Sequence, residues 1–138
     1  MAKTWSITDP YLLGCALAYA GASLAHFVHN GLYVADYPNL PQFITPAIVA
    51  ASWLAVTSIG VLAYAAMRWG ARTLGLCLLA CYAAFGFDAF AHYGLAPLSE
   101  HTFAMNLTIW SEAGAAAVLF GLALTRVIQR RIETTAHR

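Results

Sequence analysis

Charge is scarce in this chain. Asp, Glu, Lys and Arg make up 9% of its 138 residues, against about 25% in soluble domains, which excludes an ordinary soluble globular protein. Cysteine is scarce and odd in number: Cys15, Cys77 and Cys81 all fall inside apolar stretches. A structural disulfide framework in the loops is therefore not expected. No Gly-rich phosphate loop, nucleophile elbow or basic nucleic-acid patch occurs, so those functions are not expected either.

What the chain has instead is apolar length. It is 61% hydrophobic, and hydropathy divides it into four stretches at 11–33, 45–67, 73–93 and 103–128. Each reaches the roughly 20 residues needed to cross a bilayer core. Inside lipid the backbone must satisfy its own hydrogen bonds, so each stretch is predicted to be a helix. The expected fold is a single all-α domain: an integral membrane four-helix bundle of two tandem helical hairpins. "LLGC" at 12–15 looks like a lipoprotein processing box, but Asp9 and Pro10 interrupt the apolar run such a box needs.

Basic residues set the expected orientation. Lys3 precedes the first stretch, Arg68 and Arg72 separate the second from the third, and Arg126, Arg130, Arg131 and Arg138 follow the fourth. Loops 34–44 and 94–102 hold no Lys or Arg, only Asp36 and Glu100. The positive-inside rule then places both termini in the cytoplasm and these two loops outside a cell (inner) membrane. Trp5, Tyr11 and Trp69 suit the inner interface, and Tyr33, Tyr37 and Tyr93 the outer one. Gly14, Ala18, Gly21 and Ala22, with Ala113, Gly114, Ala115, Ala116, Ala117 and Gly121, are expected to form the small-residue seams through which helices pack in lipid.

A shift of 63 residues lays "FVHNGL", from Phe27, over "FAHYGL", from Phe90, and Tyr19-Ala20 over Tyr82-Ala83. If this is a duplication, the hairpins are related by a pseudo-two-fold axis along the membrane normal. His29 and His92 are then counterparts, and Gly31 and Gly94 matched helix terminators.

Five ionisable side chains lie in the outer halves of the stretches: His26, His29, Asp88, His92 and Glu112. An unpaired charge at that depth costs roughly 2.5–3.5 kcal/mol or more, so facing one another is more favourable than facing lipid. At α-helical pitch His26 and His29 lie about 60° apart and Asp88 and His92 about 40° apart. Three imidazoles and two carboxylates on three helices point to a transition-metal site, with copper, iron or zinc as the candidate ion. Asn30, Tyr93 and Asn106 are placed to orient such ligands. His101 stands too far along the fourth helix to share an ion with Glu112. It is expected to cap the site from its loop, or to guide ions inward with Glu100 and Asp36.

The order Asp88, His92, His101 resembles the Asp-x3-His…His copper-binding run in the C subunit of particulate methane and ammonia monooxygenases. The resemblance spans 14 residues, with a shorter second gap than in that family and a different span count. It implies copper, not membership. Other readings of the same residues are haem b held by His29 or His26 with His92, a proton relay through the acids and histidines, and an accessory subunit of a larger complex. The expected partners are the lipid bilayer and either other membrane subunits or further copies of the chain.

Overall fold

The structure, a computed structural model, describes residues 9–136. Lys3, Trp5 and Arg138 lie outside the described residues. Helix α1 spans Pro10–Leu32 and α2 spans Pro46–Arg68. The third span, Arg72–Leu95, is composite: α3 at Arg72–Ala84, a 3₁₀ stretch at Phe85–Ala91 and a short α4 at His92–Leu95. The fourth is α5, Phe103–Ala136. Four helices are thus long and apolar enough to cross a membrane. The described residues contain no strand.

Local chemistry sets the helix ends. Asp9 caps α1 by accepting from the Tyr11 N–H, and Thr45 caps α2 by accepting from Ile48 N–H. A proline follows each cap, where its missing N–H is harmless. Thr102 Oγ1 accepts from Met105 N–H at the start of α5. Gly70, at φ 85°, closes α2: Gly70 N–H bonds Met67 C=O and Ala71 N–H bonds Ala66 C=O, the paired bonds of a Schellman turn. Gly31 and Gly94 do not terminate helices in this way. Gly31 lies within α1, which closes at Tyr33, and neither glycine has a positive φ.

The helices form a ring in which α1 touches α2 and α5, and α3 touches α2 and α5. The core lies in the half of the bundle that carries the termini. Leu12, Tyr19, Ala63, Leu76, Leu79, Tyr82, Ala83, Ala116, Leu119 and Ala123 are buried there. Its small members let backbones approach closely. A Cβ on Gly75 would run into Met67, and one on Gly86 would stand 2.5 Å from Ala116 Cβ. The four glycines expected in the seams face outward instead: a Cβ on Gly14, Gly21, Gly114 or Gly121 would meet nothing within 4 Å. At the end carrying the termini, Asp9 Oδ2 accepts from Arg126 at 3.0 Å, joining the start of α1 to α5 in a largely buried pair.

The 3₁₀ stretch has a visible cause. The Tyr19 hydroxyl donates to the Tyr82 carbonyl at 3.2 Å, one of the last four carbonyls of α3, which lack an α-helical partner. Its ring edge-packs against Tyr82 with centroids 4.7 Å apart. Gly86 then closes directly on Tyr19 and Ala116. A side chain inserted into the ladder is a known origin of such breaks. A seven-residue run is long for this conformation, and it re-aims everything beyond it.

A buried histidine and carboxylate cluster

Two residues from α1 and α5 form the floor of the site. His26 and Glu112 are both buried, each 2% exposed. The Thr108 hydroxyl donates to the Met105 carbonyl at 3.0 Å, so its oxygen accepts from His26 Nδ1–H at 3.2 Å. That fixes the tautomer and leaves a lone pair on His26 Nε2. This nitrogen stands 3.8 Å from Glu112 Oε2, beyond a hydrogen bond, and Glu112 Oε2 has no other partner. Ser23, a turn below His26, is buried beside the carboxyl with its Oγ also unpartnered.

The first residue after the 3₁₀ stretch completes this layer. His92 is buried, and its ring meets the His26 ring edge-on with centroids 5.4 Å apart. Asn30 Nδ2–H donates to His92 Nε2 at 3.2 Å, while Asn30 Oδ1 has no partner.

Loop residues roof the layer. Tyr37, expected at the outer interface, is instead 3% exposed, with its ring 4.6 Å from the His92 ring. Pro38 restricts it to extended backbone (φ −71°, ψ 124°), which turns the side chain back onto the bundle. Burial pushes the Tyr37 hydroxyl up to about 12 from its ordinary 10.0, so it stays protonated, and it shares a hydrogen bond with His29 Nδ1 at 3.0 Å. His101 is buried above His92, ring centroids 6.2 Å apart. Its Nδ1–H donates to Pro97 C=O at 3.1 Å, leaving Nε2 buried without a partner. Asn106 accepts from Tyr93 O–H at 2.7 Å and donates to the His101 and Leu98 carbonyls. Asn39, at the left-handed φ of 56°, bonds Leu95 C=O and joins the two loops.

Asp88 and Asp36 stand apart. Asp36 ends an exposed turn at Val34–Asp36. Asp88 is exposed. At 3.0 residues per turn it is about 120° from His92, not the 40° expected of an α-helix. It lines a cleft of about 300 Å³ between α2 and the third span, whose inner end holds Asn30, His92 and Glu112.

The structure therefore brings His26, His92 and Glu112 into one layer, bonds His29 to Tyr37 and sets Asp88 in the cleft that His92 and Glu112 also line. Among the described residues, no group of three His, Cys, Asp or Glu side chains is already close enough to hold a metal ion. Asp88, His92 and His101 do not converge into a copper set. The His26, His92 and Tyr37 rings pack against one another in this layer. The placing of Tyr37 over the cluster and of Asp9 against Arg126 has no signal in the sequence beyond "YP" at 37–38 and "DP" at 9–10. No protein-family model, curated protein or solved structure matches the chain.

Proposed function

We propose that this chain is a four-span membrane protein that binds one transition-metal ion through His26, Glu112 and His92, for metal-dependent chemistry on a lipid-soluble substrate. The observation that carries this is the His26 Nε2 to Glu112 Oε2 separation of 3.8 Å, with the lone pair and the carboxylate oxygen facing each other and no donor between them. Two acceptors buried this close are satisfied by a proton or a metal ion between them. Ligands about 2.0–2.2 Å from one ion stand roughly 3–4 Å apart, which fits this pair. Two imidazoles and a carboxylate suit zinc or ferrous iron and leave coordination positions open, here toward the cleft. His92 becomes the third ligand by turning its ring and releasing Asn30. Thr108 holds the His26 tautomer that ligation needs.

The distribution of Lys and Arg supports an orientation with both termini in the cytoplasm and the site in the outer half of the membrane. One contact supports the 63-residue repeat: its counterparts Tyr19 and Tyr82 meet ring to ring, as residues near a pseudo-two-fold axis do. The test of the metal reading is elemental analysis of detergent-purified protein. About one equivalent of zinc or iron per chain, absent from Glu112→Gln, supports it. A metal-free chain that takes up neither ion overturns it.

A further inference from the structure

The cleft has a chemistry of its own. Near the end carrying the termini, α2 packs hard on α3: Gly75 closes on Met67 and Ala63, and Gly60 on Tyr82. Toward the loop end α2 hardly touches the 3₁₀ stretch, and the cleft of about 300 Å³ occupies the gap. Its walls are apolar, including Ile48, Val56 and Phe85. Ile48 and Phe85 are also exposed to the surroundings of the bundle. The cleft is bounded at its loop end by Leu40, Pro41 and Ile44 and opens between the helices beside Ile48 and Phe85.

The polar lining of the cleft is Asn30, Ser52, His92 and two acids, Asp88 and Glu112. Asp88 lines it and is exposed. Glu112, 2% exposed, also lines it and has an unpartnered Oε2. Asn30 Oδ1 is buried in the same wall without a donor. No Lys or Arg lies between Lys3 and Arg68 or between Arg72 and Arg126, and among the described residues no ion pair joins Asp88 or Glu112 to a Lys or Arg. A carboxylate at membrane depth without a counter-charge is costly, and a ligand that brings one removes that cost. Anionic amphiphiles are repelled by the same groups.

We propose that the cleft binds a membrane-soluble alkylamine, its ammonium against Asp88 with Asn30 and Glu112 at the inner end and its chain along the apolar walls. This extends the site of the metal reading through Glu112 but does not require the ion.

The test is calorimetric titration of the full chain in detergent, after chelator treatment, with n-octylamine, n-octanol and octanoate. The expected result is saturable octylamine binding, weakened about tenfold or more by Asp88→Asn. Octanol and octanoate are expected to bind at least tenfold more weakly. Asp88 is exposed, so this variant keeps its fold, which an unchanged melting temperature checks. Glu112→Gln, read in parallel, is expected to weaken octylamine less than Asp88→Asn does. Octanol or octanoate binding as well as octylamine, or octylamine binding unchanged in Asp88→Asn, overturns the proposal. Because the metal has been stripped, such a failure leaves the metal reading standing, and a chain that binds no metal can still bind the amine.

Discussion

His26 Nε2 and Glu112 Oε2 face each other at 3.8 Å across the α1–α5 seam, and nothing else in the structure satisfies that carboxylate oxygen. The pair sits above a tightly packed apolar core and below a roof of loop aromatics.

The roof depends on a protonated Tyr37. Its hydroxyl is raised from 10.0 to about 12 by burial. A group raised on folding contributes its full stability below the unfolded value, and loses it as pH rises through the folded one. The contribution is therefore present below about pH 10 and lost between about pH 10 and 12. Two units correspond to ~2–3 kcal/mol. Thermal melts across that window should fall more steeply for the native chain than for Tyr37→Phe, which lacks the titrating group. Parallel curves would show that Tyr37 is not buried as described.

The core depends on the contact at Gly86. A Cβ there would lie 2.5 Å from Ala116 Cβ and 2.6 Å from Tyr19 Cε2. Gly86→Ala should cost about 1–3 kcal/mol through overpacking. Gly21→Ala and Gly114→Ala meet open space and, in helix interiors, should be neutral or slightly stabilising. Melting temperatures of the three variants in one detergent make the comparison. Equal effects would contradict the three-helix contact at Gly86.

The anchor is Asp9 with Arg126. Asp9 caps α1 through Oδ1 and pairs with Arg126 through Oδ2. Removing one partner of a buried pair costs about 3–5 kcal/mol. Asp9→Asn should therefore destabilise strongly, and a double-mutant cycle with Arg126→Gln should show favourable coupling. Additive effects in that cycle would mean that the pair contributes nothing beyond its separate parts.

The spans were legible because hydropathy and length suffice in lipid. The stretches read at 11–33 and 45–67 sit within a residue or so of Pro10–Leu32 and Pro46–Arg68. Only α5 runs well past its reading, to Ala136, because a solvated tail of helix formers continues the helix without an apolar signal. His26, His92 and Glu112 were legible for the same reason that they are buried: ionisable groups at depth seek each other.

The angle of Asp88 is not legible in the sequence because α-helical pitch does not apply to the 3₁₀ run at Phe85–Ala91, whose extra twist sets it in the cleft. The partner of His29 is not legible because Tyr37 comes from a loop. No periodicity reports the direction of a loop side chain; only the Tyr-Pro step hinted at it.

The most direct test is calorimetric titration of zinc into chelator-stripped protein. One site per chain is expected, weakened about tenfold or more by each of His26→Ala, His92→Ala and Glu112→Gln. His29→Ala, whose imidazole is committed to Tyr37, should leave it nearly unchanged. A flat isotherm for the native chain, or a His29→Ala variant that loses zinc as fully as His26→Ala, would contradict the account.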